Sequence, residues 1–166
     1  MYSVTAPVPG RVRAIADGLH PVLASFEHVR EDHSLLLKRI RDDRDAATVG
    51  RTVARSLEGA PAVEARITGI DAFSDPPIGP APVVYLAVES PGLERIHERL
   101  AGAFDPVEGL EGPDYIPHVT LARGGDPAAL EPVLERSVEP VTWTVSEVAF
   151  ADGSTRLPIT RIGLPA

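Results

Sequence analysis

His118 and Thr120 stand two residues apart in the run Tyr115-Ile116-Pro117-His118-Val119-Thr120-Leu121-Ala122-Arg123. In an extended chain, side chains at i and i+2 point to one face, so the imidazole and the hydroxyl aim at the same space. Imidazole titrates near neutral pH and moves protons, and a hydroxyl beside it can hold a developing oxyanion. A partial second copy lies far upstream, His33-Ser34-Leu35-Leu36-Leu37-Lys38. Set without gaps on His118-Val119-Thr120-Leu121-Ala122-Arg123, it shares histidine at the first place, leucine at the fourth and a basic residue at the sixth. At the third place Leu35 faces Thr120.

These runs resemble the paired His-x-Thr/Ser motifs of the 2H phosphoesterase superfamily, in particular its 2′-5′ RNA ligase or RNA 2′,3′-cyclic phosphodiesterase branch. The resemblance implies an α+β fold: two pseudo-symmetric lobes of mostly antiparallel sheet with flanking helices, facing one central cleft. It also implies a metal-independent, cofactor-free cleavage of a cyclic phosphate, with His33 as general acid and His118 as general base. Thr120 would hold a non-bridging oxygen, while Lys38 and Arg123 would add positive charge. Leu35 cannot donate a hydrogen bond, so Ser34 would serve in its place if a bulge after His33 turned it inward. Two readings of Tyr115 stand: it stacks on a base at an RNA end, or it packs under the loop before its strand. The expected partners are RNA ends or small cyclic-phosphate nucleotides, with no obligate protein partner. A phosphodiesterase for a small cyclic nucleotide and a non-catalytic binder of phosphate or RNA ends are the alternatives.

The elements that must position these residues follow from periodicity. Tyr2–Val8 reads as a first strand, and Val12, Ile15 and Leu19 recur at helical spacing until Pro21. An extended region over Phe26–Ile40 carries the first histidine run. Asp42 and Asp43 are positioned to cap a helix bearing Val49, Val53 and Leu57. Ala62–Phe73 and Val83–Val88 read as strands joined by the proline-rich Asp75–Pro82 stretch, and Ser90-Pro91 starts a helix. After the second histidine run, Asp126-Pro127 caps a short helix with Leu130, Val133 and Leu134 facing inward and Pro132 bending it. Val141–Phe150 reads as one strand and Ile159–Leu164 as the last. His20 and His97 read as surface residues. His28, Glu31, Asp32 and His33 lie too close together in one segment to converge on an ion and read as a solvated turn.

The bulk numbers bound the rest. At 166 residues, residues 1–166 are expected to form a single two-lobed domain. There are no cysteines, which excludes disulfides and thiolate metal sites. No apolar run reaches membrane-spanning length and no secretory signal pattern opens the chain, so a cytoplasmic protein without membrane contact is expected. The net charge of −8 disfavours long polyanions and favours a small or terminal phosphodiester held by local basic residues.

Overall fold

The computed structural model describes residues 1–165. The elements follow in the order β1 (Tyr2–Pro7), α1 (Gly10–Gly18), α2 (His20–Leu23), β2 (His28–Val29), β3 (Ser34–Ile40), α3 (Ala46–Ser56), β4 (Val63–Phe73) and β5 (Val83–Glu89), then α4 (Pro91–Ala103), β6 (His118–Arg123), α5 (Leu130–Leu134), β7 (Thr142–Val145), β8 (Glu147–Asp152) and β9 (Pro158–Gly163). They form two sheets, ordered β3-β1-β8-β9 and β2-β6-β5-β4-β7, in which every neighbouring pair is antiparallel. This is the expected α+β architecture. Its two sheets match place for place, β3 with β6, β1 with β5, β8 with β4 and β9 with β7, with β2 added outside β6.

Neither sheet is built from one half of the chain. β4 follows β3 and α3 yet joins the second sheet, and β8 crosses back into the first. Val141–Phe150 is therefore not one strand. The chain changes sheets at Ser146, with β7 pairing with β4 and β8 with β1. The sequence carries a mark of the break: the apolar positions shift from Val141, Trp143 and Val145 to Val148 and Phe150 across the polar pair Ser146-Glu147, so one continuous strand could not keep both sets on one face.

Helix ends obey local chemistry. Ser90 Oγ accepts the Leu93 N–H at 3.1 Å and donates to the Glu64 carbonyl at 2.6 Å, which fixes the start of α4 to β4. Gly92 permits the close approach: a Cβ there would lie 2.4 Å from Val63. The cap of α3 is Asp45, whose carboxylate accepts the Thr48 N–H at 2.9 Å, and not Asp42 or Asp43. Asp42 is instead engaged by the guanidinium and backbone N–H of Arg44. α5 is only five residues long behind a 3₁₀ turn, and Leu134 at its end is exposed. Leu35, Leu37, Val119, Leu121, Leu86 and Phe150 are among the strand residues that fill the core against Leu93, Ile96 and Leu100 of α4.

His97 is buried on α4, contrary to the surface placement expected for it. Its Nδ1–H donates to the Leu37 carbonyl at 2.6 Å, its Nε2 accepts the Gly112 N–H at 2.8 Å, and its ring stacks on Tyr115 at 3.9 Å. Both ring nitrogens are satisfied in the neutral form, and burial lowers the pKa of the ring. No helix among the described residues is long and apolar enough to cross a membrane.

Candidate active site

β6 divides its side chains between core and cleft. Val119 and Leu121 are buried, whereas His118 and Thr120 face the space between the two sheets. The ladder to β5 pairs Thr120 with Tyr85 and Ala122 with Val84, leaving Leu121 as the extra residue of a bulge. The bulge resets the alternation, so Ala122 is buried and Arg123 returns to the cleft. The Arg123 guanidinium donates to the carbonyls of Ile78 and Pro80, which pins the proline-rich connection along the cleft edge. Gly79 makes room for it: a Cβ there would lie 2.7 Å from Arg123 Cζ, and its φ of +79° suits glycine.

The His118 ring keeps an open edge to the cleft but is enclosed by protein on its other sides. Phe73 meets it edge-on at 5.3 Å and Tyr85 at 5.1 Å. Its Nδ1–H donates to the Ile116 carbonyl at 2.7 Å, which fixes the tautomer and leaves Nε2 as a lone-pair acceptor. Desolvation lowers its pKa, and Arg39 and Arg30 push it the same way against the backbone bond. Burial and the two guanidinium groups thus both favour the uncharged form of the His118 ring.

β3 is built to the same plan one residue out of step with the ungapped reading. Ser34 and Leu36 face the cleft, Leu35, Leu37 and Lys38 are buried, and Arg39 returns to the cleft. Its ladder to β1 pairs Leu36 with Thr5 and Lys38 with Val4, leaving Leu37 as the bulge residue. Bulge and burial together match Ser34-Leu35-Leu36-Leu37-Lys38-Arg39 to His118-Val119-Thr120-Leu121-Ala122-Arg123. Ser34 thus occupies the place of the imidazole and Leu36 that of the threonine. Ser34 faces the cleft without any bulge after His33.

Lys38 does not reach the cleft. It is fully buried, and its ammonium donates to Glu111 Oε1 at 2.6 Å and to the Asp105 carbonyl at 2.9 Å. Glu111 also accepts the backbone N–H groups of Arg39 and Val107 at 2.8 and 2.9 Å, so the ion pair anchors the Asp105–Glu111 loop beneath β3. The cleft cation of this strand is Arg39. Its sequence signal was present: Arg39 follows Ser34 by the same spacing that separates Arg123 from His118. Tyr115 is packed and not free to stack on a base, since its hydroxyl donates to the Leu36 carbonyl at 2.9 Å and its ring lies on His97.

His33 precedes β3 in an irregular bend, so strand alternation does not govern it, and its half-buried ring lines the cleft. Burial lowers its pKa, while Asp17 and Asp32 oppose the shift and Arg30 and Arg13 add to it. Arg30 lies within electrostatic reach of both imidazoles. The cleft encloses about 500 Å³ and gathers Arg13, Arg30, Arg39, Arg123, Arg156 and Arg161 against the single carboxylate of Asp32. A molecule of net charge −8 thus concentrates six of its sixteen basic residues along one cleft. Two imidazoles, a hydroxyl and free guanidinium groups around one space can move protons on either side of a held phosphate.

No curated protein matches the sequence. Among solved structures, TT0787 of Thermus thermophilus superposes with a TM-score of 0.73 at 18% identity, covering 98% of this chain and 97% of that one. E. coli LigT, solved with 3′-AMP, gives 0.70 at 15% identity over 99% and 98% of the two chains. Kluyveromyces marxianus Usb1 gives 0.55 at 10% identity over 99% and 96%. At these identities the likeness is one of fold. A family model described as the 2′-5′ RNA ligase superfamily matches residues 15–155, a span that includes both histidine runs. With two matching antiparallel sheets and a cleft between their histidine runs, the chain belongs to the 2′-5′ RNA ligase superfamily, as its 2H phosphoesterase-like motifs had indicated.

Proposed function

We propose that the protein opens 2′,3′-cyclic phosphates at RNA ends, or on small nucleotides, to 2′-phosphates. Family membership supports a phosphoesterase or ligase activity in general. The observation that carries the finer reading is His118, whose Nδ1–H is committed to Ile116 while Nε2 faces an arginine-lined cleft shared with His33. Nε2 takes a proton from water as its oxygen attacks phosphorus. The bond from phosphorus to O3′ breaks, and His33 protonates the departing oxygen. Each proton transfer is worth roughly 10²- to 10⁴-fold.

Thr120 donates to one non-bridging oxygen. Leu36 leaves the matching place in the other sheet without a donor, and Arg30 and Arg39 supply positive charge there instead. A 5′-hydroxyl in place of water would break the same bond and form a 2′-5′ linkage, so ligation needs no further group. The scheme uses no metal ion, and nucleotide binding by LigT, solved with 3′-AMP, is in keeping with a nucleotide in this cleft.

Incubation with adenosine 2′,3′-cyclic phosphate in excess chelator tests the proposal. The expected result is conversion to the 2′-phosphate, lost by at least about 10²-fold in both His118→Ala and His33→Ala. A metal requirement, full activity in His118→Ala, or binding without turnover would overturn it.

A further inference from the structure

The cleft extends well past the two histidines. It runs along the first sheet to the β8–β9 hairpin, where Ala151, Gly153, Thr155, Arg156 and Leu157 form its far wall. The catalytic scheme uses nothing at this end.

The turn of the hairpin is closed by a set of local hydrogen bonds. The Asp152 carboxylate accepts the Ser154 N–H and the Thr155 N–H, each at 2.9 Å, and the Ser154 hydroxyl at 2.6 Å. These bonds hold that carboxylate well below the usual range. Gly153 N–H donates to the Met1 carbonyl at 2.9 Å, and Arg156 N–H returns to the Asp152 carbonyl at 2.8 Å. Arg156 itself has φ +61°, the one non-glycine residue with positive φ among those described. Asparagine or glycine adopts that conformation more readily, so a long cation sits where local backbone preference disfavours it. Such outliers gather at binding sites, where the surroundings hold them in place.

Charge points the same way. Neither Arg156 nor Arg30 has a carboxylate within 4.0 Å among the described residues, although the chain carries 24 aspartates and glutamates. Arg30 is half-buried, and after desolvation Arg156 is the strongest influence depressing its pKa, ahead of Arg123 and Arg39. Arg161 on the neighbouring strand is, by contrast, paired with Glu147 at 3.0 Å. Arg156 is exposed at the cleft wall, and Asp32 is the one carboxylate acting on Arg30 against three arginines, so the positive charge gathered here exceeds what the protein offsets and a bound anion would relieve it.

We propose that Arg156, at the hairpin end of the cleft that Arg30 and the histidines also line, forms a second anion subsite for a phosphate one step removed from the reacting one. The inference rests on the phosphoesterase reading for the place of the first phosphate. The second is either the preceding phosphodiester of an RNA end or a 5′-phosphate of a mononucleotide. Either chemistry makes the preferred substrate a bis-phosphate in place of a simple cyclic nucleoside monophosphate.

The test compares kcat/KM on three substrates: adenosine 2′,3′-cyclic phosphate, its 5′-phosphorylated form, and the dinucleotide ApA ending in a 2′,3′-cyclic phosphate. Wild type is expected to favour at least one of the two bis-phosphates by roughly tenfold, the scale of one charge-assisted hydrogen bond. Whichever is favoured names the source of the second phosphate. Arg156→Asn, which suits the left-handed backbone and removes the charge, is expected to abolish that ratio, whereas Thr120→Ala lowers both rates and leaves the ratio intact. A ratio near one in wild type, or an unchanged ratio in Arg156→Asn, overturns the subsite. Should none of the three be turned over, the phosphoesterase reading fails. Calorimetric titration of adenosine 2′,5′-bisphosphate against adenosine 2′-phosphate then decides the subsite: a preference lost in Arg156→Asn upholds it, and equal affinities sink it.

Discussion

The two cleft histidines are both held below the ordinary imidazole pKa, but by different surroundings. His118 has no carboxylate among its influences and two arginines against its protonated form. His33 has Asp17 and Asp32 partly restoring its basicity. That asymmetry suits His118 to act neutral and His33 to act protonated, the division of labour the chemistry needs. A base works above its pKa and an acid below its own, so kcat/KM is expected to be bell-shaped with its maximum on the acid side of about 6.5. Removing the Asp17 charge with Asp17→Asn lowers the pKa of the acid, and the alkaline limb should shift to lower pH while the acid limb stays. An alkaline limb that does not move would show that His33 is not the acid.

Strand register governs which side chains reach the chemistry. In both β3 and β6 a single bulge residue inverts the alternation halfway, and each strand thereby presents an arginine to the cleft after two buried positions. The same bulge turns Lys38 into the core, where its pairing with Glu111 replaces lost hydration. Register makes opposite demands on two adjacent leucines. Leu36→Thr places a hydroxyl opposite Thr120 in the cleft and is expected to fold and to raise kcat. Leu35→Thr buries a hydroxyl in the core and is expected to destabilise by about 1–3 kcal/mol without a gain in rate. Denaturant melts and rates on the two variants check this, and a reversed outcome would return the ungapped alignment.

At the scale of the molecule, net charge and local charge act in opposite directions. On the proposed function, the overall −8 would repel an anionic substrate, whereas the six-arginine cleft would attract it. Screening tells which wins, because the Debye length falls from about 30 Å at 0.01 M salt to about 3 Å at 1 M. If cleft arginines dominate, kcat/KM falls several-fold over that range, and this is the expected result. A rise with salt would mean that the acidic surface governs encounter. The exchange of β4 and β8 between the sheets matters here too, since it ties the two walls of the cleft to one another through the chain.

The order of strands and helices, the two histidine runs and the α+β class were legible in the sequence, because they rest on periodicity and on residue types that local chemistry restricts. The capping Ser90 and the pairing of His118 with Thr120 on one face were equally plain. Local signals misled at His97, whose burial depends on Leu37 and Gly112, and the shift of apolar parity across Ser146-Glu147 is a one-residue signal whose meaning, a change of sheet, shows only in the two ladders. What only the tertiary structure decided was register: a bulge is a property of two strands paired, not of either strand's own sequence. For that reason the match of Ser34 to His118, the cleft places of Leu36 and Arg39, and the position of Arg156 were decided only once β3 lay against β1 and the β8–β9 hairpin closed the far end of the cleft.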